Sequence, residues 1–391
     1  MALSAESAII RRPKQNGFHR VTNQRAQTGS MVTTTAWVEP DAIAAVLSGC
    51  PRHVRGPADA HVLDAPNNLQ FAISTDSISA NQGFPGEDVR SLVRRGLIEA
   101  LSDLAAVGAS FHGAQIDLRA PGDFSLDDFE AVGRGLDDVF GIYGGQLLQA
   151  CNMSRGEFGL SNTVLGLVSA GRAMRRAGAQ PGDHVFITGP TGGWNCALAV
   201  LNHAGATLSA AEWTQLRDDF VDYRPELAFG EALAASGVVN SCTDANDSLD
   251  KCLRDLVGPL GLDADIDEAA VPLAPSARLA EREVALSSAE VAIMGLAGDN
   301  RLVLTAAPES ASELANVAES LGRNLFQIGV LSAGSGMVHY RHLVSRSRAH
   351  DVRRLELYGP HFGADIELRP EGVEPGGMTF GQPSLGMRRR P

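Results

Sequence analysis

Four aspartates stand where a predicted strand or helix runs out into a loop: Asp76 in "STDS", Asp103 in "LSDLAAVGA", and Asp244 and Asp247 in "CTDANDSLD". Carboxylates brought together from separate loops supply the oxygen ligands of a hard cation such as Mg2+, which can in turn hold a phosphate. Taken singly, each has a plainer reading. A strand-end aspartate satisfies the backbone N–H groups of a turn. Asp103 reads as a boundary residue at the edge of an apolar stripe, with Ser102 beside it and Glu99 one turn earlier. Asp247 or Ser248 reads as the N-cap of the helix that follows, which accounts for one acidic residue there and not for two. Asp299 in "AGDNR" by itself indicates only a turn.

The elements that carry these residues follow from periodicity. Val89, Leu92, Val93, Leu97, Ala100, Leu101, Leu104 and Ala105 recur at helical spacing, so Asp103 rides on an amphipathic helix. Before it, "LQFAISTDSIS" reads as a strand ending near Asp76, preceded by a short helix near Asp41 to Leu47. After it come a strand at "GAQIDLRAP" and a helix at "SLDDFEAVGRGLDDVFGIYG" with Ser125 as N-cap. Two strands follow around a polar turn in "QLLQACNMSRGEFGLSNTVLGLVSAG", giving a βαβαββ domain. A Pro181-Gly182-Asp183 turn opens a second half in which strands and helices again alternate. The class is α/β or α+β, in two layered halves: a first domain over 36–170 and a second over 171–345. "GPTGGWN" lies between a strand and a helix, where backbone N–H groups can approach a phosphate. It lacks the Lys-Ser/Thr of a P-loop and does not read G-x-G-x-x-G, so on local grounds it is a tight turn.

Composition narrows the function. With 391 residues, 44% of them hydrophobic and 20% charged, the chain can bury a substantial core. A net charge of -13 argues against nucleic acid as a partner. No apolar run is long enough to span a bilayer. Five cysteines without a C-x-x-C pair indicate neither a zinc site nor a disulfide framework, and the default setting is a reducing cytoplasm. There is no H-x-x-x-H pair and no G-x-S-x-G elbow. Residues 1–35 are expected to be disordered, with Met1 or Met31 as the start, and residues 346–391 to form an extension and tail.

The order of the motifs is more specific than any one of them. "FAISTDSIS", "ALSDLAAVGA", "TVLGLV", "GDHVFITGPTGG", "TDANDSL", "GDNRLVLT" and "QIGVL" together resemble the thiamine-monophosphate kinase family. Its wider, PurM-like group includes aminoimidazole ribonucleotide synthetase, selenophosphate synthetase and a hydrogenase maturation factor. The resemblance implies a two-domain fold whose first domain pairs with a second copy into a shared barrel. It also implies ATP held through Mg2+ by converging aspartates. Residue by residue, it places Asp76, Asp103, Asp244 and Asp247 on metal, and Asp103, Asp244 and Arg155 in catalysis. Asp59, Ser74, Thr75, Asp76, Asn152, Gly189, Gly192, Asp247 and Ser248 fall at nucleotide-binding positions.

Departures from the family pattern bear on the acceptor. Ala58 stands at one of two early acidic positions, Asn152 where an aspartate is usual, Gly193 at another acidic position, Gly83 in place of a histidine and Arg301 in place of an acid. With the resemblance, they imply an Mg2+/ATP-dependent phosphotransferase that phosphorylates or ATP-activates a small molecule other than thiamine monophosphate. Trp194 and Met153 are candidates to line a roomier apolar pocket, or else pack inward. Two alternatives are an ATP-dependent cyclising or dehydrating enzyme and a catalytically degenerate dimeric scaffold.

Overall fold

The computed structural model describes residues 58–201, 203, 207–284, 287–295 and 298–341, without the side chains of Cys151, Asn152 and Val284. The helix expected near Asp41, the N-terminal segment and the C-terminal tail lie outside the described residues.

Strand β1 (His61–Ala65) turns into β2 (Leu69–Ser79) through Asn67 and Asn68. Both asparagines have left-handed backbones, φ 62° and 58°, which Asn tolerates better than most residues. This leading strand, "HVLDA", adds to the βαβαββ order read from the sequence. Helix α1 (Val89–Val107) starts at Asp88, whose side chain accepts from Ser91 N. It stops at Gly108, φ 73°, where a Cβ would lie 2.2 Å from that of Ala234. Then come β3 (Ser110–Ala120), α2 (Leu126–Tyr143) opened by a Ser125/Asp128 capping box, β4 (Leu147–Arg155) and β5 (Gly159–Ser169). The five strands lie in the order β1-β2-β5-β3-β4, antiparallel except for the parallel β3–β4 pair.

Alternation gives this sheet two unlike faces. Ala72 and Ile78 of β2, Ile116 of β3, and Leu160 and Val164 of β5 are buried in one core with Leu97, Leu101 and Leu104 of α1. On the other face hydroxyls pair across β2 and β5, Thr75 with Thr163 at 2.9 Å and Ser77 with Ser161 at 2.7 Å.

The second half contains β6 (His184–Ile187), α3 (Gly193–Leu201), α4 (Ala210–Val221), α5 (Leu227–Ser236), β7 (Ser241–Asp244) and α6 (Leu249–Val257). It continues with β8 (Leu262–Ile266), α7 (Ala277–Val284), α8 (Ser288–Met294), β9 (Leu302–Ala306), α9 (Ala311–Ser320), β10 (Phe326–Ala333) and β11 (Val338–Tyr340). Its strands lie in the order β11-β8-β10-β6-β9-β7, antiparallel except for β11–β8. The antiparallel pairing makes the fold α+β within the expected α/β class. Helix α5 seats so closely on α1 that a Cβ at Gly230 would lie 2.1 Å from Ala105 O. One core therefore runs from the first sheet through α1 to Phe186, Leu302 and Leu304 of the second.

A buried charged network ties the segment after β2 to this core. Arg95 of α1, 1% exposed, donates to both oxygens of Glu87 and to Gln82 O, and lies over the ring of Phe220. Tyr223 donates to Glu99, one turn before Asp103. Among the described residues no helix is long and apolar enough to cross a membrane.

Candidate metal and nucleotide site

The period of two in β2 sorts the residues of "STDS". Ser74 and Asp76 share the face of Ala72 and Ile78, beneath α1, while Thr75 is exposed on the opposite face with its hydroxyl on Thr163. The expected nucleotide position at Thr75 is therefore on the far side of the sheet from Asp76 and Asp103. Asp103 leaves α1 toward β2, and Ser74 Oγ donates to its Oδ2. The fully buried strand β7, "SCTD", ends on Asp244. Asp59 lies just ahead of β1. Carboxylate oxygens of Asp59, Asp103 and Asp244 all come within 4.8 Å of one another.

Burial and mutual repulsion dominate the electrostatics. Burial, and then the charges of Asp244, Asp76 and Asp59, push Asp103 well above the usual carboxylate range. Burial followed by Asp59 does the same to Asp244, with Ser102 pulling the other way. Asp76 is raised by burial and feels Asp103 as a hydrogen-bonding neighbour. Glu99, absent from the sequence-derived site, is a further, partly buried carboxyl; desolvation raises it against the pull of Arg95 and Tyr223, and the charge of Asp76 adds to the rise. Oδ2 of Asp59, of Asp76 and of Asp244 is each buried without a hydrogen-bond partner. Orphaned buried carboxylate oxygens are costly, and a hard divalent cation removes that cost by binding them. The donor set is all oxygen and fits Mg2+.

Other expected residues are placed elsewhere. Asp247 is half-exposed and pairs with Lys251 at 3.1 Å, outside the group of three, so the metal position expected for it is not reproduced. Ser248 caps α6 by accepting from Lys251 N. Capping thus takes Ser248, and an ion pair one turn along takes Asp247. Arg155 is exposed at the end of edge strand β4, three strands from β2, which is about 14 Å at the usual strand spacing. Asn152 shares that edge strand, its side chain outside the description.

The glycine-rich turn is already filled. Asp299 Oδ2 accepts from Gly192 N and, at 3.2 Å, from Thr191 Oγ1, while its Oδ1 accepts from Trp194 N at 3.0 Å. The N-terminus of α3 thus carries the chain's own carboxylate where a phosphate was expected at Gly192. Gly189 lies against Arg301, since a Cβ there would sit 3.2 Å from Arg301 Nε. Arg301 in turn donates to Pro190 O and pairs with Glu226. Trp194 stacks on Phe220 with ring centroids 5.2 Å apart, inside a buried cluster with Leu216 and Phe84. It packs inward, and of the two proposed pocket residues only Met153, 63% exposed, is open to solvent.

Two residues the sequence reading did not single out touch the acidic group. Arg176 and Thr243 both donate to Asp59 Oδ1. Nothing in "MRRAGAQPGD" separates Arg176 from its neighbour Arg175; contact alone does. The buried thiols of Cys242 and Cys252 beside the group are pushed well up by burial, which leaves them un-ionised and unsuited to nucleophilic work.

Comparison with known proteins agrees with this architecture. The AIR synthase related protein, N-terminal domain, matches residues 57–168. A thiamine-monophosphate kinase of Escherichia coli (strain K12) is 32% identical over 230 residues, 58% of this chain and 70% of that one. The crystal structure of thiamine-monophosphate kinase from Stenotrophomonas maltophilia K279a superposes with a TM-score of 0.62 at 28% identity, covering 77% of this chain and 95% of that one. The Aquifex aeolicus thiamine monophosphate kinase shares the fold, with a TM-score of 0.65 at 19% identity over 78% of this chain and 98% of that one.

Proposed function

Because this chain belongs to the thiamine-monophosphate kinase family, we propose that it is an ATP-dependent phosphotransferase that passes the γ-phosphoryl group to a small acceptor with the help of Mg2+. The observation that carries the reading is the convergence of Asp59, Asp103 and Asp244, with Asp76 alongside, in which Asp59, Asp76 and Asp244 each keep a buried oxygen without a partner. Bound Mg2+ would neutralise phosphate charge and align the phosphoryl group. The chain's own part is positional. Ser74 holds Asp103, the N–H groups around Asp299 stiffen the neighbouring turn, and no nucleophilic side chain is required. A scaffold without turnover has no use for carboxyl groups that repel one another in a buried place. The buried free thiols Cys196, Cys242 and Cys252 suit a reducing cytoplasm.

The relatives are named for thiamine monophosphate, so that compound is the first acceptor to test. We expect it to be a poor one. Gly83 and Asn152 remove a hydrogen-bonding ring and a charge found in the family pattern, and losing two such contacts lowers the specificity constant by about a hundredfold or more. The check is a steady-state assay with Mg2+/ATP, with product masses determined for thiamine monophosphate and for pools of other small metabolites. Efficient formation of thiamine diphosphate would assign that acceptor instead. No ATP consumption with any of them would sink the phosphotransferase reading and favour the scaffold.

The same reading expects a homodimer formed through the first sheet. Thr75 and Ser77 are exposed on its outer face, and its edge strands expose Leu63 on β1 and Leu147, Leu148 and Met153 on β4. Sedimentation at micromolar concentration should show a dimer, and a monomer alone would count against the arrangement.

A further inference from the structure

Asp59 uses its two carboxylate oxygens differently. Oδ1 accepts from Nε of Arg176 at 3.0 Å, from a second nitrogen of the same guanidinium, and from Thr243 Oγ1 at 2.8 Å. Oδ2 is buried and accepts from nothing. The ion pair is also lopsided in burial, since the Asp59 side chain is 0% exposed and that of Arg176 40%. The guanidinium reaches in from the surface to a carboxylate that water does not touch. Both donors come from the second half of the chain, Arg176 from the segment between β5 and β6 and Thr243 from β7, next to Asp244 itself. Packing of the two halves therefore also decides how Asp59 faces Asp103 and Asp244.

We infer that Arg176 and Thr243 are positioning residues for the cation: they lock Asp59 by Oδ1 and leave Oδ2 turned to the metal. This rests on the reading of the acidic group as a divalent-cation site. A carboxylate free to rotate would present either oxygen, or neither, and would lose orientation entropy on binding. Groups that orient metal ligands commonly change affinity about ten- to a hundredfold when removed. The competing view makes Arg176 a countercharge and nothing more, in which case the fixed hydrogen bonds are incidental.

Substitutions that hold the charge constant separate the two. Thr243→Val deletes one donor, and Arg176→Lys keeps the charge while losing the two-nitrogen grip on one oxygen. The probe is Mn2+ alone, without nucleotide, titrated into the full chain with free Mn2+ read by electron paramagnetic resonance. Melting in chelator checks the fold. Wild type should bind, both variants should bind about tenfold or more weakly, and Thr243→Ser, which retains the hydroxyl, should match wild type. Unchanged or tighter binding in Thr243→Val and Arg176→Lys overturns the positioning role while the cation site stands. A loss in Thr243→Ser as large as in Thr243→Val overturns it as well. Failure of the wild type to bind Mn2+ overturns both this inference and the site.

Discussion

Asparagine at position 103 is expected to lower phosphoryl transfer by about a thousandfold or more while making the chelator-treated protein more stable. Asp103 sits at the centre of the acidic group, held by Ser74 and facing Asp244, Asp76 and Asp59. Removing its charge takes away a ligand that Mg2+ requires and the repulsion that the folded chain tolerates. The two effects have opposite signs, which sets the prediction apart from simple damage to the fold. A misfolded variant would lose activity and stability together. The measurements are kcat with Mg2+/ATP and the best available acceptor, and melting in excess chelator. Near wild-type turnover in Asp103→Asn would return Asp103 to a boundary residue of α1.

Stabilisation by Mg2+ should grow as pH rises, and melting of the chelator-treated chain should fall over the same range. Asp103 and Asp244 are raised well above the usual carboxylate value in the fold, so the native state binds more protons than the unfolded chain. Stability then decreases with rising pH from about pH 4, the unfolded value, up through the folded value. Mg2+ binds the ionised carboxylates, displaces those protons and cancels the loss. At a hundred times its dissociation constant, a cation specific for the native state adds about 2.7 kcal/mol. Asp263 and Glu212, lowered to about 2 by backbone and side-chain donors for Asp263, and by Arg282 and the Ser209 cap for Glu212, act in a different window. Their contribution is complete above about pH 4 and disappears as pH falls toward 2. Melting curves at several pH values, in chelator and in saturating Mg2+, check this. Identical pH dependence in both would remove the carboxylate–cation coupling.

Local pattern made the principal elements legible. The apolar spacing of α1, the alternation of β2 and the Ser125 cap of α2 depend only on residues a few positions apart, and the sequence states those directly. The order of motifs likewise pointed to the family before any geometry. The same alternation implied that Thr75 faces away from Ser74 and Asp76, although membership in one motif had grouped all three. Strand β1 was harder to see because its five residues, with an exposed Leu63 and Asp64, show little apolar alternation.

What only the tertiary structure decided is which polar group meets which. Asp244 and Asp247 are three residues apart and chemically identical, yet the end of β7 turns one into the acidic group while Lys251 holds the other outside it. Asp299 looked like a turn residue and proves to be the anion at the N-terminus of α3, because the start of β9 runs beside the end of β6. Arg176 and Thr243 converge on Asp59 across the two halves of the chain. Secondary structure is set by neighbours in sequence, so its pattern is written there. A buried carboxylate instead takes its partners from whatever strands and helices packing brings within about 3 Å, and no short-range pattern records that distance.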